Sequence, residues 1–252
     1  MAGDVTTELE DHIATVEFHR PPDNYFDVPL IEEIADAVLA LDDEPECRVV
    51  VLCSEGRNFC AGAQLGPDSD LVDHTANLYA QAVRLFSARK PIVAAVQGAA
   101  VGGGLGLALA ADFRVASPET KFRCNFARLG FHQGFGTSVT LPASVGRQRA
   151  LELLYTGGQV KGDDALRVGI ADRVVPLAEL RSGTRAFASE IAASGPLAVL
   201  AIKQTMRGGL ADEVRAVTAR EHEAQQALRG TDDFAEGVRA TAERRAPQFT
   251  GR

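Results

Sequence analysis

Apolar and polar positions alternate over Val5 to Glu10 and again over Ile13 to His19, with Asp11-His12 between them. That period of two predicts a hairpin. Pro21-Pro22-Asp23-Asn24 breaks the chain, and Leu30, Ile31, Ile34, Val38 and Leu41 then fall on one helical face, with Pro29 placed for a first turn. Arg48 to Cys53 and Ile92 to Val96 are short, continuous apolar runs, as expected of parallel strands covered on both faces. A helix is predicted over Leu71 to Ser87 and an Ala/Leu helix over Leu105 to Ala111. Phe113 to Ala116, Lys121-Phe122 and Arg173 to Val175 read as short strands, and Thr137 to Val145, Gln148 to Tyr155 and Asp163 to Val168 as helices. From Leu177 onward the pattern is almost wholly helical. Strands alternating with helices and then a helical tail predict an α/β core, residues 1–194, with a C-terminal helical region, residues 195–252.

Composition narrows the function. The chain has 252 residues, a formal net charge of −8, and 46% hydrophobic residues with no Trp and 6% aromatics. The core is therefore expected to be aliphatic. The negative balance argues against nucleic acid and anionic membrane as partners. Cys47, Cys53, Cys60 and Cys124 match no zinc spacing and read as reduced thiols of a cytoplasmic protein. No metal site is expected. Met1 to Arg20 shows no signal-peptide pattern. The glycine density of Ile92 to Ala111 favours a buried strand–turn–helix over a membrane span.

Two glycine-rich segments carry the chemistry. Gly56 to Leu65 and Gln97 to Gly106 each follow an apolar run and each offer small residues whose amides a ligand can approach. Two amides converging on one point make an oxyanion hole without a charged side chain. A dinucleotide fingerprint is not met, and no Gly-Lys-Ser/Thr phosphate loop is present. For one glycine triplet alone, tight strand–helix packing is the plainer explanation.

Taken together, Phe59-Cys60-Ala61-Gly62-Ala63, Lys90 through Gly98, Gly102-Gly103-Gly104, Ala111-Asp112, Gly130, Gly134-Phe135-Gly136 and the tail from Glu236-Gly237 to Phe249 resemble the crotonase superfamily of enoyl-CoA hydratases and isomerases. The resemblance runs from about Thr6 to Phe249. It implies a spiral of β-β-α units, a homotrimer or dimer of trimers, and a coenzyme A thioester as substrate with no permanently bound cofactor. It places the oxyanion amides at Ala63 and Gly103. It places coenzyme A against Asn24, Tyr25, Ala61, Gly62, Gln64 and Leu65, with Arg244 as a basic contact across subunits. A lysine that often contacts phosphate in relatives is replaced by Pro22.

The resemblance also exposes a departure. The two glutamates that handle protons in family hydratases fall at Gly106 and Phe126, and neither residue can exchange a proton. Ordinary hydration is therefore not expected, and isomerisation, decarboxylation or another enolate step takes its place among the readings. A non-catalytic thioester-binding protein is the alternative. A peptidase, which the shared fold allows, would need a serine near Gly102 to Leu105, and none is there. His132 is the candidate substitute acid or base, since imidazole titrates near neutrality. Its plainer role is a loop hydrogen bond. Asp68, Asp70, Asp73 and His74 read first as surface or cap residues, Asp112 as structural, and Cys60 as packing. Phe126, Phe131 and Phe135 suggest a drier, reshaped acyl pocket.

Overall fold

The computed structural model describes residues 3–63 and 75–252. The predicted hairpin is present as β1 (Val5–Glu10) and β2 (Ile13–Phe18), paired antiparallel from Val5 opposite Phe18 to Glu10 opposite Ile13. Asp11 and His12 turn it with positive φ angles, the conformation that two-residue hairpin loops require. Helix α1 (Val28–Ala40) starts at Asp27, whose carboxylate accepts the Leu30 N–H at 3.0 Å, and Pro29 occupies its first turn.

Two buried runs follow, β3 (Val49–Ser54) and β4 (Ile92–Val96), each without an exposed position. Between them lies α2 (Thr75–Leu85); Leu71 to His74, where the predicted helix was to begin, lie outside the described residues. A six-stranded sheet runs β1-β2-β3-β4, then β6 (Phe113–Ala116) and β9 (Arg173–Val174). All its neighbours are parallel except the opening hairpin. The pleat divides the core. Val50, Leu52 and Ala94 face the larger cluster with α1, whereas Val49, Val51, Val93 and Val115 face Leu180, Ala188 and Ala192 of α7 (Leu180–Ala192). This explains the continuous apolar runs: both faces are covered.

A second sheet joins β5 (Ala99–Val101), β7 (Lys121–Arg123) and β8 (Gln159–Lys161). The sequence pattern did not predict β5 or β8. Three residues give no periodicity, and β5 lies inside a glycine-rich turn. Helix α3 (Gly103–Ala110) begins two residues before the predicted start, and every residue after Gly103 is buried. Helices α4 (Thr137–Val145), α5 (Arg147–Thr156) and α6 (Gly162–Val168) follow the expected order.

The tail contains α8 (Pro196–Arg207), α9 (Leu210–Arg229) and α10 (Asp232–Ala242). It folds back over the core: α9 packs on α2 and α4, and α10 on the 3-10 turn Asn125–Leu129. Asp112 anchors α8. Its carboxylate accepts from the Ile92 N–H at 2.7 Å and the Lys203 ammonium at 2.8 Å, and pairs with Arg207 at 3.1 Å. That is the structural role expected of it. All four cysteines are free and buried. Among the described residues no single helix is long and apolar enough to cross a membrane.

Candidate functional site

The two glycine-rich segments meet. Cys60 donates to the Ala99 carbonyl at 3.1 Å and accepts from the Val101 N–H at 3.0 Å, which zips the first segment onto β5. Gly62 follows with φ +91°, and a Cβ placed there would lie 2.7 Å from the Val101 oxygen and 3.6 Å from the Gly103 nitrogen. Only glycine fits that close approach. On its other side the Gly62 carbonyl accepts the Phe26 N–H at 3.0 Å, and Ala61 donates to Asp23 at 2.9 Å. Residues 61–63 are thus clamped between the segment around Phe26 and the glycine triplet.

This places Ala63 beside the start of α3. Gly103 is the first residue of that helix, so its N–H has no intrahelical acceptor. The helix dipole adds a partial positive charge at the same point. The Ala63 N–H likewise donates to no backbone carbonyl among the described residues. The Cys60 thiol beneath is fully buried, and desolvation pushes its pKa up to about 12. It is packing, not a nucleophile.

Ala63 and Gly103 open onto a cavity of about 510 Å³, within the usual range for small-molecule sites. Thr75, Leu78 and Tyr79 of α2 form one side, Asn125, Phe126 and Leu129 another, and Gln225, Val238, Thr241 and Ala242 of α9 and α10 a third. Among the described residues the lining includes no carboxylate and no imidazole; its titratable side chains are Tyr25, Tyr79 and Arg123.

The positions expected to hold glutamates have separate fates. Phe126 lines the cavity, as do Phe131 and Phe135. Gly106 does not. A Cβ there would lie 2.6 Å from the Phe135 Cβ and 3.0 Å from its ring, so Phe135 occupies the volume a longer side chain would need. Phe135 takes φ +61°, unusual for a bulky residue, and its ring tilts against Phe26 at 5.5 Å. Gly106 therefore belongs to the packing behind the pocket, a correction to its expected place in the pocket wall.

His132 is also displaced from its expected role. It is not among the cavity-lining residues, and its Nδ1 is hydrogen-bonded to the Gln133 carbonyl at 2.8 Å. The loop that follows is held by Glu221, a fully buried carboxylate on α9 that accepts from the Gly136 N–H at 2.9 Å and the Ser138 N–H at 3.0 Å. Burial holds the Glu221 pKa above its ordinary value, against the pull of those donors. One turn along, the Gln225 amide donates to the His132 and Gln133 carbonyls at 3.0 and 3.3 Å, and its oxygen accepts the Tyr79 hydroxyl at 2.8 Å. Burial, with Glu221 nearby, raises the Tyr79 pKa well above the phenol range. A carbonyl faces the phenol oxygen, so a phenolate is disfavoured: Tyr79 is a fixed hydrogen-bonding group, not a base.

Sequence reasoning missed Tyr79, Glu221 and Gln225. The signal was present but faint. Val214, Thr218, Glu221 and Gln225 fall on one buried stripe of α9, where polar residues at apolar spacing call for partners.

Of the residues at which the family resemblance places coenzyme A, Tyr25, Ala61 and Gly62 line the cavity. Asn24 does not: it is fully buried, and its side chain bonds the Arg20 N–H and the Glu55 and Asn58 carbonyls at 2.6–2.8 Å. It is spent on shaping the turn, which corrects its expected contact. Gln64 and Leu65, and Asp68, Asp70, Asp73 and His74, lie outside the described residues. Arg244 is exposed just past α10 with φ +55° and is not among the lining residues, although Thr241 and Ala242 are, while Arg245 is paired with Glu236.

An α/β core in which two glycine-rich segments meet at an apolar cavity is the arrangement of a crotonase-type fold. Residues 8–252 match the family profile described as enoyl-CoA hydratase/isomerase, and the chain belongs to that family. It is 32% identical to (E)-benzylidenesuccinyl-CoA hydratase of Thauera aromatica, over 98% of this chain and 99% of that one. It is 34% identical to carnitinyl-CoA dehydratase of Proteus mirabilis, over 92% and 93% respectively. The crystal structure of an enoyl-CoA hydratase from Mycobacterium avium subsp. paratuberculosis superposes with a TM-score of 0.86 at 29% identity, covering 99% of this chain and 100% of that one.

Proposed function

We propose that the cavity binds the acyl part of a coenzyme A thioester, with the thioester oxygen between the Ala63 and Gly103 amides. The observation that carries this reading is the seating of Gly62 against Val101 and Gly103, which brings both amides to one cavity. When an enolate forms beside a thioester, negative charge collects on that oxygen. Preorganised amides at a helix start stabilise it, each donor contributing roughly 3–4 kcal/mol to the barrier.

The reaction is an enolate-forming step that draws on no carboxylate at positions 106 and 126. Isomerisation and decarboxylation both need the oxyanion hole; water addition by a glutamate pair needs side chains that are not here. The absence of a carboxylate or imidazole from the described lining favours one further reading, a thioester-binding protein without turnover. Solvent deuterium exchange at the acyl α-carbon separates them. Exchange into bound acyl-CoA supports enolate chemistry, and binding without exchange supports the second reading. Rapid hydration of trans-2-enoyl-CoA would overturn the claim that the glutamate route is lost.

The reading extends to self-association. Helix α8 buries none of its residues fully, and Leu197, Ile202 and Met206 stand 80%, 63% and 77% exposed. A trimer, or a multiple of three, is the expected mass in sedimentation, and a stable monomer would refute it.

A further inference from the structure

Six of the aromatic residues of this chain are gathered in one place. The sequence holds twelve Phe, three Tyr and no Trp. Of these fifteen rings, Tyr25, Phe26, Tyr79, Phe126, Phe131 and Phe135 line the cavity that Ala63 and Gly103 also line. Twenty-two residues of 252 thus carry six of fifteen aromatics. The remainder of the core is built mainly from Ala, Val, Leu and Ile, and those residues were equally available to enclose an aliphatic chain.

The rings are also fixed in mutual geometry. Phe26 and Phe135 meet at 5.5 Å with planes at 50°, and Phe131 leans on Phe234 at 4.7 Å and 33°. Phe26 and Phe135 are almost fully buried by this packing, so of the lining rings Tyr25 and Phe131 keep the most open surface, with Phe126 and Tyr79 next. The Tyr79 hydroxyl donates to Gln225, whose amide donates to the His132 and Gln133 carbonyls, so the pair holds that loop in place. Among the described residues the one cationic side chain of the lining is Arg123, which is exposed.

We propose that the acyl group taken by this site carries an aryl ring, so that the preferred substrates are arylacyl thioesters rather than straight-chain ones. The proposal rests on the acyl-CoA reading above and specifies the substrate class of the same site. A ring seated among these side chains makes several edge-to-face contacts, and an alkyl chain of equal carbon number makes none. Simple burial works in the opposite direction, because a nine-carbon alkyl chain has more apolar surface than a phenylpropanoyl group. A preference for the ring therefore reports ring geometry. The expected size is about tenfold, the product of two or three aromatic contacts.

The test is isothermal titration of the full-length protein with coenzyme A, nonanoyl-CoA and 3-phenylpropanoyl-CoA, which are saturated and match in carbon count. The expected result is about tenfold tighter binding of the phenylpropanoyl thioester, falling below threefold in Phe131→Leu or Phe126→Leu. Equal or tighter binding of nonanoyl-CoA overturns the aryl proposal and leaves the acyl-CoA reading intact. A ring preference that survives in both variants also overturns it, since these side chains would not be its source. If neither thioester binds more tightly than coenzyme A itself, the acyl-CoA reading fails with it. A variant that has lost its cooperative thermal transition is replaced by Phe131→Met, which keeps the volume but not the ring.

Discussion

The cavity has two walls built on opposite principles. One is backbone: residues 61–63 with Gly102 and Gly103, where side chains are small or absent. The other is side chain: Tyr79, Phe126, Phe131 and Phe135, large rings held by packing and hydrogen bonds. On the proposed reading, the backbone wall supplies the donors that stabilise an oxyanion. The described side-chain wall is mostly apolar, with Phe126 where the family resemblance expects a glutamate. Stabilising charge and moving protons would then be separable functions, carried by different atoms on different elements. Changing one need not disturb the other.

The largest effect is expected on the backbone wall. A Cβ on Gly104 would run into the Cys60 carbonyl, with the carbonyl carbon 2.8 Å away. Gly104→Ala must therefore push the two loops apart. Whatever turnover the protein shows should fall by about 10²–10³, the cost of misplacing one oxyanion donor. The stretching frequency of a bound thioester carbonyl, read by infrared difference spectroscopy, should return towards its value in water. Retention of a red-shifted carbonyl in this variant would show that the amides are not where the charge is met.

Much of the backbone wall was legible in the sequence and most of the side-chain wall was not, for a physical reason. Glycines at a strand end announce a close approach, because no other residue tolerates it; the two glycine-rich segments stand out on that ground, the family resemblance points within them to Gly62 and Gly103, and both line the cavity. The strands β3 and β4 were legible because burial on both faces leaves an uninterrupted apolar run. By contrast, whether a Phe fills a pocket, backs it or packs elsewhere depends on tertiary direction. Phe126 and Phe135 look alike in the sequence, yet Phe135 also takes the space beside Gly106. The Tyr79–Gln225 bond joins residues 146 positions apart, and no local pattern encodes it. His132 illustrates the converse, a suitable side chain turned towards its own loop.

The next test probes the exchange itself. Restoring a carboxylate by Gly106→Glu should fail, because Phe135 already fills the volume. Overpacking should destabilise the protein by about 1–3 kcal/mol, and burial of an unpaired carboxylate adds to that. Chemical denaturation should show a lower midpoint, with partial recovery in the double variant Gly106→Glu/Phe135→Ala. If the single variant is as stable as the parent, Phe135 is not the obstacle. Smaller still is Tyr79→Phe, which removes one buried hydroxyl from Gln225. A loss of about 1 kcal/mol in unfolding free energy is expected, with looser protection of the 130–136 amides in hydrogen exchange. An unchanged exchange pattern would detach this bond from the shape of the ring wall.

The smallest expected effect separates two glutamates whose pKa values are shifted in opposite directions. Glu221, beneath the loop bearing Phe135, has its pKa raised by burial. Its folded form holds the proton more tightly than the unfolded chain does, so the stability it contributes is complete below its ordinary value of 4.5 and is lost as pH rises through the folded value. Glu236 on α10 has its pKa lowered, chiefly by the Arg245 hydrogen bonds and also by the Gln248 N–H and Arg239. Its contribution is present above 4.5 and is lost as pH falls towards the folded value. Plotted as unfolding free energy against pH, Glu221→Gln should flatten the decline on the alkaline side of 4.5, and Glu236→Gln the decline on the acid side. Each variant should leave the other limb in place, because the two carboxylates sit on different helices and share no hydrogen-bond partner. If both substitutions flattened the same limb, the two carboxylates would be coupled, and α9 and α10 would not respond to pH independently.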